Sequence, residues 1–235
     1  MRHPEIKNQK VVDKVISRRG TLHAFNNINP LRTALVTIDM TASFVEADSR
    51  CLEMIPSINS LASTLRNAGG TVAWVTVSSK EVQQNHIAVF GQELATVFYE
   101  RAQSSSPDSK LHEKLVVKAD DVVASKEGFS AFFPGRSNLH EQLKARNIET
   151  ILICGTVTNI CCESSARDAV ELGYQVIFLS DLNAGHGHGL HEASLTTFYR
   201  AFGDVRPFSE MREIIKNHSH NKSSQQDAQN TRASA

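Results

Sequence analysis

The stretch TILICGTVTNICCESSARDAVELG, residues 150–173, decides the fold. Its opening, TILICG (150–155), is a short and very apolar run of the kind that makes a strand buried on both faces. Gly155 permits a tight turn. Residues 160–172 then read as a helix closed by Gly173. Thr158 or Asn159 is expected to cap that helix, with Glu163 in its first turn. Cys161 falls at or near the helix N-terminus, where exposed N–H groups and the helix dipole are expected to lower a thiol's pKa. The same N–H groups can form an oxyanion hole.

The pattern of strand then helix repeats on either side. ALVTID (34–39), TVAWVTV (71–77), DVVASK (121–126) and YQVIFLSD (174–181) read as strands, and 204–206 as a short edge strand. Residues 56–68, 81–101, 137–147, 190–202 and 208–216 read as helices, with Pro56 suiting a first turn and Ser137 a cap. Short apolar strands alternating with helices give an α/β fold, a parallel sheet covered on both faces. Such sheets bind ligands beyond the carboxyl ends of their strands, so the polar residues there are the candidates for chemistry. Residues 1–30 are polar and weakly patterned, and are expected to form an N-terminal arm ahead of a domain over 31–216. Residues 217–235 have almost no large apolar side chain and are expected to be disordered.

Composition narrows the function. The 235 residues carry 25 Lys+Arg against 25 Asp+Glu, so the excess of positive charge expected of a nucleic-acid binder is missing. No run reaches the length of a membrane span and no apolar leader is visible, so neither a membrane partner nor a secretory signal is expected. The four cysteines, Cys51, Cys154, Cys161 and Cys162, lack zinc-type spacing and disulfide-framework density, which fits a reduced, cytoplasmic protein.

Three strand ends carry reactive groups. Asp39 follows a largely apolar run, where it can serve as a base or simply cap the next turn. Lys126 ends the third strand, where it can hold a carboxylate or thiolate, or lie on the surface. Cys161 follows the fourth strand and can be a nucleophile or a small buried hydrophobe, as Cys154 is expected to be. A carboxylate, a cation and a thiol on one sheet edge are the parts of covalent acyl transfer.

TALVTIDM, SKEGFSAF and GTVTNICCESSARDA, taken in order, resemble the three signature segments of the isochorismatase-like cysteine hydrolases. The resemblance covers roughly residues 32–215. It implies a three-layer αβα, doubly wound, six-stranded and mainly parallel sheet. It implies an Asp–Lys–Cys triad at Asp39, Lys126 and Cys161, and a cis peptide between Thr156 and Val157. It also implies an oxyanion hole from the Val157 and Cys161 N–H groups. Family members cleave C–N bonds of small amides, carbamoyl and ureido compounds, and commonly form dimers or tetramers, so a homo-oligomer with a small-molecule substrate is expected. Thr41-Ala42-Ser43-Phe44 departs from the usual run after the catalytic Asp, which points to an altered substrate site. Residues 77–86 lack the Asp-x-His pattern of nicotinamidases, so neither a metal nor any other cofactor is expected. Phe44, Trp74, Phe129, Phe132 and Asn159 are candidates for lining the substrate site. His186, His188 and His191 read as a Gly/His loop near its mouth, with a structural role for His191. Arg167 and Asp168 read as an internal salt bridge. The competing reading is a non-catalytic relative that binds a small molecule or a partner.

Overall fold

The computed structural model describes residues 1–3, 5–185 and 187–218. The expected disordered tail lies, from residue 219 on, outside the described residues, as does His186. Along the chain come α1 (Gln9–Arg19), β1 (Thr33–Ile38), α2 (Ala42–Ala47), α3 (Ser49–Asn67), β2 (Thr71–Val77), α4 (Gln84–Phe90), α5 (Gln92–Arg101) and β3 (Val122–Lys126). Then follow α6 (Leu139–Ala145), β4 (Thr150–Thr156), a π-helical turn (Thr158–Cys162), α7 (Glu163–Glu171), β5 (Gln175–Ala184), α8 (His188–Ala201) and β6 (Asp204–Arg206). Residues 208–218 are helical.

The six strands are all parallel, in the order β3-β2-β1-β4-β5-β6. Period-2 alternation splits the apolar side chains between two cores. Ala34, Val36, Ile38, Ile151, Ile153 and Phe178 face one side, with α1, α6, α7 and α8 packed over them. Leu35, Leu152, Cys154, Trp74 and Ile177 face the other, under α3 and the helix over 208–218. Each fully buried aliphatic side chain contributes about 1.5–3 kcal/mol, so two continuous layers hold the central strands rigid. Strand order reverses between β1 and β4, where the two strands pair from Thr33↔Thr150 to Ile38↔Gly155. At that pair a Cβ on Gly155 would lie 2.1 Å from the Ile38 carbonyl oxygen, and the backbone φ there is 122°. Only glycine fits, so the approach of β1 to β4 depends on this residue.

Several expectations need correcting. The third helix begins at Ser49, seven residues before Pro56, because the Asp48 side chain accepts from Arg50 N at 3.1 Å and starts it there. Pro56 therefore lies inside the helix. The helix expected over 81–101 is two, broken at Gly91 with a φ of 82°. Its wide apolar stripe leaves Val89, Phe90, Leu94 and Phe98 exposed on this chain. The segment over 1–30 is packed on the domain: Ile6, Val12 and Val15 are buried in the same core as α8 and β6.

Candidate active site

The three reactive residues converge where the strand order reverses. Asp39 follows β1 directly, with a φ of 52° and its N–H donating to Val75 O at 2.9 Å. That left-handed turn, which Asp tolerates better than most residues, is anchored to β2. Lys126 closes β3, beside Val77 of β2. Its ammonium reaches across to Asp39 Oδ2 at 2.8 Å and donates to Cys161 Sγ at 3.4 Å and to Gly128 O at 2.8 Å. All three lysine protons therefore have partners. Asp39 and Lys126 are fully buried, and Cys161 retains 9% exposure. Apart from Lys126 and Cys161, the Asp39 oxygens find no hydrogen-bond donor among the described residues.

Electrostatics in this closed cluster differ from the sequence expectation. Burial pushes the Cys161 thiol up to about 12, with Lys126 pulling it down and Asp39 pushing it further up. The expected lowering is outweighed because the sulfur is desolvated and lies beside the Asp39 carboxylate. Burial alone would lower the pKa of Lys126, but the charges of Asp39 and Cys161 and its bonds to both raise it above the usual lysine value. The ammonium is the fixed cation of the site. Cys154 is likewise pushed by burial to about 12 and Cys162 well above its ordinary value, and Cys51 is raised by burial.

The turn carrying Cys161 is held from several sides. Thr156–Val157 is a cis peptide. Neither Thr158 nor Asn159 caps the turn through its side chain; Val157 occupies that place with no side-chain bond. Thr158 Oγ1 instead pairs with His191 Nδ1 at 2.9 Å, tying α8 to the turn. Burial, and then Arg50, hold the His191 pKa below its ordinary value, so the ring is neutral near pH 7. Arg167 pairs with Glu163 at 3.0 Å, one helical turn back, and covers the Phe202 ring, so the expected Arg167–Asp168 bridge is replaced. Sequence reasoning missed Ser165, whose hydroxyl donates to Cys161 O at 2.6 Å and accepts from Ala131 N at 2.9 Å. A serine four residues after the cysteine was its one visible signal.

The candidate lining residues divide. Trp74 is a core residue: it is fully buried under α3, and its Nε1 donates to Asp121 at 2.7 Å. A strand interior places its side chain on the wrong face for the site. Phe132 is also buried, packing near Tyr174 in the core that includes Cys161. Phe129 is exposed, its ring 5.5 Å from that of His86. Phe44 on α2 and Asn159 in the turn are half-buried. Two surface hollows, of about 430 and 330 Å³, lie against α1 and beside α6, and neither includes Asp39, Lys126 or Cys161.

Among the described residues one group of possible metal ligands converges, namely His3, His23 and Asp204. Its atoms are already engaged. His3 Nε2 bonds Val205 O and its Nδ1 accepts from Glu5 N, both at 3.1 Å. Asp204 pairs with His23 and Arg206, each at 3.1 Å. Burial, then His23, lowers the His3 pKa to about 4, so the ring stays neutral near pH 7. The group bolts the N-terminal segment to the start of β6, at the end of the sheet away from Cys161.

Three comparisons place the chain among known proteins. A family model described as the isochorismatase domain matches residues 33–208. The uncharacterized isochorismatase family protein YwoC of Bacillus subtilis is 31% identical over 81% of this chain and 97% of its own. The ureidoacrylate amidohydrolase RutB of Azorhizobium caulinodans is 33% identical over 46% of this chain and 47% of its own. A crystal structure of a cysteine hydrolase from Pseudomonas syringae pv. phaseolicola superposes with a TM-score of 0.74 at 29% identity, covering 83% of this chain and 97% of that one. The doubly wound sheet, the residues at its reversal point and the span of the match together make this chain a member of the isochorismatase family.

Proposed function

We propose that the protein is a cysteine-dependent hydrolase cleaving a C–N bond of a small amide, carbamoyl or ureido compound through a thioester. The observation that carries the reading is the buried contact of Lys126 with both Asp39 (2.8 Å) and Cys161 (3.4 Å). The likeness to a ureidoacrylate amidohydrolase and to a cysteine hydrolase of known structure supports it.

Burial holds the Cys161 thiol above its ordinary value, so little thiolate stands ready near pH 7. Proton removal must therefore accompany attack, which calls for a base beside the sulfur. Asp39 takes the thiol proton as the sulfur bonds to the substrate carbonyl carbon, and the carbonyl π pair moves to oxygen. The Val157 and Cys161 N–H groups hold that oxyanion. Its collapse breaks the C–N bond, and the nitrogen leaves as ammonia or an amine with the proton from Asp39. Water then gives a proton to Asp39 and its oxygen to the thioester carbon. Cys161 leaves that carbon and regains its proton, and the acid is released. Lys126 keeps carboxylate and sulfur in register throughout. Cys161 is the one member of the three with residual exposure, so in this reading the substrate's carbonyl comes in on the cysteine side of the cluster.

The test is ammonia release by the purified protein on ureidoacrylate, N-carbamoylsarcosine, biuret, nicotinamide and simple aliphatic amides. Turnover on at least one is expected, together with its loss in Cys161→Ala. Absence of turnover on every one of them would favour a non-catalytic binding protein instead.

A further inference from the structure

We propose that Ser165 is a positioning residue, setting the contact between Lys126 and Cys161 by lashing the loop after β3 to the nucleophile turn. Its relevance to turnover rests on Cys161 being the nucleophile.

Ser165 lies in the first turn of α7 and is fully buried. A hydroxyl has one proton to donate and lone pairs to accept. Here the proton goes to the carbonyl of Cys161 itself, at 2.6 Å, and a lone pair receives the N–H of Ala131, at 2.9 Å. Serine hydroxyls inside helices often donate to the carbonyl four residues back, a bond local to the helix. This one joins two segments far apart in sequence. Ala131 is also fully buried, so its N–H has no water to turn to.

The loop that Ala131 belongs to is the one that steers the lysine. Gly128, at a φ of 136°, presents its carbonyl to Lys126 Nζ at 2.8 Å. The connections then close a ring. It runs from the Cys161 carbonyl through the Ser165 hydroxyl to Ala131, back along the loop to Gly128 O, through Lys126 Nζ, and on to Cys161 Sγ. The links are hydrogen bonds of 2.6 to 3.4 Å joined by short stretches of chain. Removing the hydroxyl opens the ring at the place where the loop and the turn meet. The Ala131 N–H must then move to find an acceptor, Gly128 O moves with it, and the ammonium loses its fixed distance from the sulfur. Because the ammonium favours the thiolate, a looser contact makes the thiol harder to ionise.

The experiment reads the thiol without needing a substrate. Iodoacetamide labelling of the native protein is followed from pH 7 to 10 by peptide mass spectrometry, which resolves the four cysteines. Cys51, Cys154 and Cys162 are buried and serve as an internal check of folding. Ser165→Ala is expected to slow labelling of Cys161 about ten-fold at a given pH, so that its rise with pH moves upward. Ser165→Thr, which keeps the hydroxyl, is expected to stay within about two-fold of the unsubstituted protein. If Ser165→Ala labels all four cysteines it has unfolded, and Ser165→Cys takes its place. A thiol there fills a similar space but makes only weak hydrogen bonds, and the same slowing is expected. Labelling of Cys161 that is unchanged or faster in a folded variant overturns the positioning role. Failure of the hydrolase reading would show separately, as absent ammonia release with the labelling difference intact.

Discussion

Lys126→Ala is expected to destabilise the protein by about 3–5 kcal/mol and to abolish hydrolysis. The lysine is fully buried and touches a fully buried carboxylate at 2.8 Å. Removing one partner of such a pair leaves the other as an uncompensated charge, and this penalty, more than the lost attraction, sets the size of the effect. Among the described residues Asp39 has no other cation or hydrogen-bond donor to turn to apart from the thiol. The substitution also removes the cation that favours the Cys161 thiolate, so the residual folded protein should be inactive. Urea denaturation read by fluorescence or circular dichroism measures the first effect and ammonia release the second. Lys80→Ala is the control, because Lys80 pairs with Glu127 at the surface and should leave the denaturation midpoint where it was. A Lys126→Ala protein as stable as the unsubstituted chain would mean that the buried pair is not charged.

Asp39→Asn should separate two properties that usually fall together. The carboxylate raises the thiol's pKa, through its charge and its hydrogen bond. Asparagine has nearly the same shape and no charge, so the thiol's pKa should drop and the ammonium of Lys126 should take the thiolate as its counter-ion. Labelling of Cys161 by iodoacetamide should therefore become several-fold faster at neutral pH, with its rise shifted to lower pH. Hydrolysis should nevertheless fall by about 10² or more, because no base remains to take the thiol proton or return it to the leaving nitrogen. A variant that both labels faster and turns over normally would remove Asp39 from the proton-transfer role.

The strands were legible because buried parallel strands are apolar on both faces, and TILICG and TVAWVTV carry that signature without ambiguity. The positions of Asp39 and Lys126 at strand ends followed from the same reading. The burial of Lys126 did not, since a lysine at a strand end is ordinarily exposed, and only the packing of three segments around its head shows otherwise. Helix boundaries were weaker. The start of α3 at Ser49 depends on the side chain of Asp48, and the split between α4 and α5 depends on one glycine, Gly91. The N-terminal segment was misjudged because its few valines were outweighed by charge, although Val12 and Val15 are spaced to fall on one helical face. The direction of the Cys161 pKa was misread for a similar reason. Sequence places the cysteine near a helix start, but the depth of the sulfur is a property of the folded sheet. Trp74 shows the converse, since an aromatic side chain inside a strand faces a core fixed by the pleat, not the site at the strand's end.

The most direct test of the central claim is the covalent state of Cys161 during turnover. A reaction with an amide that releases ammonia would be quenched in acid within the first turnovers and the protein digested. The peptide carrying Cys161 should gain the mass of the substrate's acyl or carbamoyl part, with Cys162 in the same peptide unmodified and no adduct in Cys161→Ala. Ammonia release that continues in Cys161→Ala, with no adduct on any cysteine, would contradict the account.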